Sequence, residues 1–95
     1  MLGFGVDKKC IKDCAGTGLV VDIHGTGPKS KGTNMIKTIA MRTDIDGLPI
    51  PENNKSLPYV TQTDHAHMCG HDGHMAMLLA ATSVIVKHRR RIPSD

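Results

Sequence analysis

The chain has 95 residues, a formal net charge of +3 and no Trp, and aromatic side chains make up only 2% of it. A chain of this length forms at most one small domain, and so few aromatic residues favour a piece of a larger domain over an independent one. No apolar stretch reaches the ~18–20 residues of a membrane-spanning helix. Three cysteines, an odd number, argue against a complete disulfide framework. We therefore expect a soluble protein of a reducing compartment, with the cytoplasm favoured.

Residues 1–15 show no clear period and are interpreted as a loop or a frayed strand. Cys10 and Cys14 are four apart and would share a face of a helix, but no further ligand lies nearby, so a metal pair there is the weaker interpretation. The β-branched run at residues 18–24 predicts a strand. The polar residues 25–34 then predict a hairpin-like connection to a second strand at residues 35–42, paired antiparallel with the first.

The second predicted strand ends in a short acidic segment. In an extended chain alternate side chains share a face, so Arg42, Asp44 and Asp46 would point the same way. Two neighbouring carboxylates repel each other unless a cation or a shared proton relieves them. Arg42 relieves part of this repulsion, and a metal or a partner imidazole could relieve the rest. A solvated turn, in which Asp makes local hydrogen bonds, is the equally weighted alternative.

Residues 49–66, which contain three prolines, predict a long irregular loop, and loops of this length are usually functional or mobile. After it, apolar residues at i, i+3, i+4 and i+7 predict a helix at about residues 72–90. Asp72 suits its first turn, cationic residues suit its last turn, and Pro93 stops it. Because those cations complement the helix dipole and no aromatic residues accompany them, a nucleic-acid patch is the weaker interpretation.

Between loop and helix lies the densest cluster of metal-binding residue types, with the sequence HMCGHDGH at residues 67–74. Thiolate sulfur and imidazole nitrogen are preferred ligands of transition metals. Cys69 and His71 are two apart, a spacing that points both at one ion in an extended segment. His67 or His74 would be needed to complete such a site locally, and Asp72, Asp44 or Asp46 could orient an imidazole.

Two segments carry a resemblance to a known family: IAMRTDIDGLPIPE at residues 39–52 and the stretch from HMCGHDGH to residue 93. They resemble the amidohydrolase branch of the aminoacylase/carboxypeptidase-type metallopeptidases. That branch includes indole-acetyl-amino-acid hydrolases, hippurate hydrolases and N-acetyldiaminopimelate deacetylases. The resemblance implies an α/β metallopeptidase-type fold, of which residues 1–95 would form one partial catalytic domain with two strands, a long loop and one helix.

The resemblance also implies a chemistry. Cys69 and His71 would be metal ligands of a two-metal centre holding Zn, Mn or Co. Asp44 and Asp46 would be the catalytic carboxylates beside it. The reaction would be hydrolysis of an N-acyl amino acid, in which the metals activate water and polarise the acyl carbonyl, with a glutamate as general base. Neither nucleic acid nor membrane is an expected partner. Family members have a separate lid or dimerisation domain, through which the resemblance implies a homo-oligomer.

The sequence departs from the family pattern in what it lacks. The family's glutamate base and its later His and Glu ligands follow the helix, whereas the only glutamate here, Glu52, lies in the proline-rich loop and does not match. We therefore predict an amidohydrolase fragment that is inactive alone. The alternative is a small non-catalytic metal-binding or interaction protein derived from such an enzyme.

Overall fold

The structure is a computed structural model that describes residues 1–29 and 38–94. These residues form two strands, β1 (Ile11–Cys14) and β2 (Gly18–Val21), and one α-helix, α1 (His71–Lys87). Three single turns of 3-10 helix accompany them, at Leu2–Phe4, Lys8–Cys10 and Arg89–Arg91. The chain divides into two compact units. The first contains Met1–Met41 and Leu79–Asp95, and the second contains Arg42–Leu78.

The two strands form a tight antiparallel hairpin. Ile11 pairs with Val21 at one end and Cys14 with Gly18 at the other. The three-residue connection holds Ala15 and Gly16 at φ 51° and 82°, the left-handed conformation that short hairpin loops use. Across one face the Lys12 ammonium lies 2.7 Å from the Asp22 carboxylate, and this hydrogen bond lowers the pKa of Asp22.

This hairpin corrects part of the sequence interpretation. The predicted strand at 18–24 is present but ends at Val21. Its predicted pairing with residues 35–42 is wrong, because β2 pairs with β1 and residues 38–42 lie in no strand. Residues 35–37 lie outside the described part of the chain. Closing the three-residue turn between β1 and β2 costs less chain entropy than closing the predicted ten-residue connection at 25–34. Loop entropy therefore favours the pairing of β2 with β1.

Helix α1 begins one residue before its predicted start and ends three residues before its predicted end. Alanine and leucine favour the helix, and Asp72 in the first turn and Lys87 in the last turn complement its dipole. At the end the backbone N–H of His88 is shared between the Val84 and Ile85 carbonyls, at 3.0 and 3.1 Å. This sharing tightens the backbone into the following 3-10 turn. Arg89 and Arg90, which were predicted to lie in the α-helix, lie in this turn instead.

Two glycines, Gly25 and Gly27, lie against the backbone of the segment that follows this helix. Gly27 donates a 2.7 Å hydrogen bond to the Ile92 carbonyl and accepts one of 3.1 Å from Ser94. A Cβ on Gly25 would lie 2.2 Å from the Pro93 oxygen, and one on Gly27 would lie 2.6 Å from the Arg90 oxygen. Both contacts are with backbone atoms, so only residues without a side chain permit this approach.

Little of the described chain is buried. The first unit buries Val6, Gly27 and Thr82, with Val6 at 7% and Thr82 at 4% exposure, and the second buries Ala66 at 6%. Several large apolar side chains are more than half exposed, including Leu19, Tyr59 and Val84. Among the described residues no helix is long and apolar enough to cross a membrane.

We predict that Gly27→Ala lowers the free energy of unfolding by about 1–3 kcal/mol, because its Cβ would overlap backbone oxygens that cannot move independently. Urea titration followed by circular dichroism at 222 nm measures this. Gly3→Ala is the matched control, since a Cβ there meets nothing within 4 Å. Equal urea midpoints for the two variants would contradict the tight packing at Gly27.

Candidate metal centre

All four residues predicted from sequence to form the site belong to the second unit. One antiparallel bridge shapes this unit: Leu48 and Ala66 exchange both backbone hydrogen bonds, at 2.9 and 3.0 Å. The bridge closes the irregular loop between them, in which no helix or strand is described. It thereby brings the acidic segment before Leu48 beside the His/Cys cluster after Ala66.

The central contact of the site joins His71 and Asp46, which are 25 residues apart in sequence. His71 Nδ1 lies 2.9 Å from Asp46 Oδ1 and 3.3 Å from the Asp46 backbone oxygen. The His71 side chain is only 20% exposed, whereas that of Asp46 is 66% exposed. A carboxylate and a carbonyl oxygen can only accept hydrogen bonds, so Nδ1 must carry the proton. The lone pair of the neutral ring is then at Nε2, which is the ring nitrogen available to a metal ion.

The two carboxylates of the acidic segment have different partners. Arg42 forms an ion pair with Asp44, one of the two carboxylates whose repulsion it was expected to relieve, and the Thr43 hydroxyl donates a hydrogen bond to the Asp44 carbonyl. Asp46 contacts the His71 imidazole instead. The structure therefore separates the roles of the two acids: Asp44 is neutralised by its neighbour in sequence, and Asp46 is free to orient the histidine.

Cys69 lies two residues before His71, the first residue of α1. Gly70 adopts φ 90°, a left-handed conformation that glycine takes without strain, and its carbonyl accepts the 3.1 Å hydrogen bond of His74 in the first turn. Cys69 is exposed, so its sulfur is accessible to a ligand. The chain thus turns into α1 between the two candidate metal-binding side chains.

The donor set is incomplete within the described residues. The rings of His71 and His74 are 6.2 Å apart between centroids, but nowhere in residues 1–29 and 38–94 do three or more His, Cys, Asp or Glu side chains gather as a metal ion would require. A structural zinc usually takes four protein ligands and a catalytic one three. Cys69 and His71 therefore fit a divalent metal in donor type but supply only part of its coordination shell.

The cysteines near the N-terminus do not form a second site. Cys14 ends strand β1 and Cys10 directly precedes it, so the helical face that would have paired them is absent. In the second unit His65 contacts the adjacent Asp64 at 2.7 Å, and this hydrogen bond lowers the pKa of Asp64. Both residues are highly exposed neighbours in sequence, which makes this a local surface contact.

Sequence reasoning did not predict the Leu48–Ala66 bridge, which brings the acidic segment to the histidine. Neither residue stands out in its segment, since Leu48 precedes a proline and Ala66 lies between two histidines. The alanine between polar neighbours was the one available signal, because small apolar residues are among those most often buried.

Comparison with known proteins gives matches over most of the chain. The sequence model of peptidase family M20/M25/M40 matches residues 40–95, more than half of the chain. N-acetyldiaminopimelate deacetylases of Anoxybacillus flavithermus and Oenococcus oeni are 42% and 43% identical over 72 and 74 residues, which are 76% and 77% of this chain. That of Priestia megaterium is 44% identical over 75 residues. No solved structure gives a significant match.

The chain therefore belongs to peptidase family M20/M25/M40, and the resemblance to its amidohydrolase branch is confirmed by these deacetylases. The matched region spans about 17% of the length of each of these relatives. The matched residues contain all four side chains that the sequence predicted for the site. The deacetylase activity in these names is that of the relatives.

We predict that His71 of the metal-free protein is in the Nδ1–H tautomer at neutral pH, because both nearby oxygens are acceptors. Long-range ¹H–¹⁵N NMR spectra of the imidazole distinguish the tautomers. Asp46→Ala should shift the ring towards a mixture of tautomers, because only the weaker carbonyl contact remains.

Asp44→Ala is the matched control for this experiment, since Asp44 pairs with Arg42 and should leave the His71 spectrum unchanged. A predominant Nε2–H form in the unsubstituted protein, or equal effects of the two substitutions, would contradict the orienting role of Asp46.

Proposed function

We propose that this chain carries one part of the active site of a metal-dependent amidohydrolase that cleaves N-acyl amino acids. Cys69 and His71 are metal ligands in this proposal. The observation that carries it is the contact of His71 Nδ1 with Asp46, because metal-binding histidines usually donate their other ring N–H to a carboxylate or carbonyl. Membership of peptidase family M20/M25/M40 supports the same reaction class.

Asp46 is proposed as the residue that orients His71. By accepting from Nδ1 it fixes the ring and raises the basicity of Nε2, the nitrogen that faces the metal. Asp44, held by Arg42, is the second carboxylate beside the site. The Arg42 guanidinium offsets the charge of Asp44, which reduces the repulsion between the two neighbouring carboxylates.

A bound divalent ion supplies Lewis-acid chemistry, lowering the pKa of a bound water and polarising the amide carbonyl. We propose two such ions, Zn, Mn or Co, as the resemblance implies. The residues of this chain contribute one thiolate and one imidazole, and the remaining ligands come from parts of an M20 hydrolase outside residues 1–95. The substrate class is supported by relatives named N-acetyldiaminopimelate deacetylases.

The general base is also proposed to come from outside these residues. Glu52, the only glutamate of the sequence, lies in the loop closed by the Leu48–Ala66 bridge, where its carboxylate accepts a 2.8 Å hydrogen bond from the backbone of Asn54. The 95-residue chain by itself is therefore proposed to lack hydrolase activity. Turnover of an N-acyl amino acid by the purified chain, abolished by a chelator, would contradict this.

A second function, that of a non-catalytic metal-binding or interaction protein, is favoured by the exposed apolar side chains of the described residues. The two functions differ in metal affinity. A self-sufficient metal protein binds one ion tightly and stoichiometrically, whereas a partial site with two ligands binds weakly.

We predict that the isolated chain binds Co²⁺ weakly, with a sulfur-to-metal absorption band in the near ultraviolet. Cys69→Ser should abolish the band, and His71→Ala should weaken binding about tenfold, because each removes one of two protein ligands. Absorption titration under reducing conditions measures both effects.

Cys14→Ser and His65→Ala are the controls, since they remove an exposed cysteine and an exposed histidine outside the proposed donor pair. Binding that depends on Cys14 rather than Cys69, or that is unaffected by His71→Ala, would overturn the ligand assignment. Tight one-to-one binding would favour the non-catalytic metal protein.

A further inference from the structure

The sequence contains two Asp–Gly links, Asp46–Gly47 in the acidic segment and Asp72–Gly73 in the first turn of α1. An aspartate that precedes glycine can react with its own backbone, because glycine has no side chain to shield its nitrogen. Both aspartates are exposed, so water reaches each of them. The two links therefore have the same local chemistry and differ in the backbone that carries them.

The backbone of the first link has the freedom that this reaction needs. Asp46 and Gly47 lie in no helix or strand, and within the described residues the Gly47 N–H donates no hydrogen bond. A Cβ on Gly47 would come no closer than 3.4 Å to another atom, the Ala66 backbone oxygen, so the peptide has room on that side. Rotation about the bonds of Asp46 can thus bring its carboxyl carbon to the Gly47 nitrogen.

The second link lacks this freedom because it lies in α1, which begins at His71. The helix fixes the rotation about the Cα–C bond of Asp72. His74, the residue that follows this link, donates a 3.1 Å hydrogen bond to the Gly70 carbonyl. Reaction at Asp72 therefore requires the first turn of the helix to open, whereas reaction at Asp46 does not.

The contact with His71 opposes the reaction at the first link. His71 Nδ1 lies 2.9 Å from Asp46 Oδ1 and 3.3 Å from the Asp46 backbone oxygen. Because one ring nitrogen faces both oxygens, the carboxyl group is turned towards the peptide oxygen and away from the Gly47 nitrogen. The carboxyl group must leave the imidazole before it can meet that nitrogen.

We propose that Asp46–Gly47 is a modification site at which aspartate converts to isoaspartate through a succinimide, and that the contact with His71 slows this conversion. The Gly47 nitrogen attacks Cγ of Asp46, and the new N–Cγ bond closes the succinimide ring. One carboxyl oxygen leaves as water, with the amide proton and one proton from solvent. Hydrolysis then adds one water. Cleavage of the N–Cγ bond restores aspartate, and cleavage between this nitrogen and the Asp46 carbonyl carbon gives isoaspartate.

The modification removes the carboxylate that orients the histidine. In isoaspartate the backbone runs through Cγ and is longer by a methylene, while the carboxylate is attached directly to Cα. The contact with His71 is then lost, one residue before Leu48 begins the bridge to Ala66. Only this consequence rests on the proposed function, because the isomerisation requires neither metal nor turnover. Failure of the reaction and failure of the proposed function are therefore observed separately.

The test is storage of the full metal-free chain at neutral pH and physiological temperature in water enriched in ¹⁸O. Chromatography and electron-transfer fragmentation of tryptic peptides then distinguish isoaspartate from aspartate. Cleavage after Arg42, Lys55 and Lys87 places the two links in different peptides. We expect ¹⁸O-labelled isoaspartate to form about tenfold faster at Asp46 than at Asp72, because the helix must first open at Asp72. In concentrated urea the two rates should become similar.

Two substitutions test the attacking nitrogen and its control. Gly47→Ala should slow isoaspartate formation at Asp46 about tenfold, because a methyl group beside the nitrogen hinders its attack and restricts the backbone. Gly73→Ala is the matched control and should leave the rate at Asp46 unchanged, since a Cβ there meets nothing within 4 Å. Far-ultraviolet circular dichroism checks that each variant retains α1.

A third substitution tests the contact. His71→Ala should raise the rate at Asp46 about threefold, the low end for a lost hydrogen bond because Asp46 is largely exposed. An unchanged or lower rate in His71→Ala would overturn the protective role of the contact.

The modification site itself is tested without reference to His71. Equal rates at Asp46 and Asp72 in the folded chain, isoaspartate without ¹⁸O, or equal rates at Asp46 in Gly47→Ala and the unsubstituted chain would overturn it. A difference between the two links that persists in urea would overturn the assignment of their reactivity to the folded backbone.

Discussion

The contact between the His71 imidazole and the Asp46 carboxylate is the interaction on which this account depends. It joins two segments that are distant in sequence, and it determines which nitrogen of the ring can bind a metal. The backbone bridge between Leu48 and Ala66 makes the contact feasible by closing the long loop between the segments. A loop with few regular hydrogen bonds can thus still place two side chains within 3 Å, provided that its ends are tied together.

The candidate metal site and the apolar surface share one property, which is that the described residues do not complete either of them. The described residues supply two candidate ligands where a catalytic zinc needs three, and several of their large apolar side chains are more than half exposed. Each feature taken alone has a local explanation. Both fit the proposed function, in which other parts of an M20 hydrolase complete the donor set.

The sequence predicted the helix better than it predicted the strands. The helix is confirmed because the alanine-rich apolar run has a strong helical period, whereas Cys69 and His71 stay predicted ligands that rest on the residue types and spacing in CGHDGH. An ion pair of Arg42 within the acidic segment was also expected, since alternation along an extended chain depends only on local geometry, but the choice of Asp44 over Asp46 was not predicted. In contrast, the predicted strand at 18–24 was paired with residues 35–42 instead of β1. The reason is that β1, at residues 11–14, is short, carries two charged residues and shows no strand period.

The contact of His71 with Asp46 had been one of several open alternatives. Choosing among them required knowing that Leu48 pairs with Ala66, and neither residue has a distinctive pattern. The incompleteness of the donor set among the described residues could likewise be anticipated only from the family pattern, since His67 and His74 are close enough in sequence to have served as ligands.

The most direct test of the central claim is zinc K-edge X-ray absorption on the zinc-loaded chain. The account predicts a shell with one sulfur at about 2.3 Å and nitrogen at about 2.0–2.1 Å from the metal. The sulfur should disappear in Cys69→Ser and persist in Cys14→Ser. A sulfur shell that survives Cys69→Ser, or a shell without sulfur in the unsubstituted protein, would contradict the assignment of Cys69 and His71 as the two ligands this chain contributes.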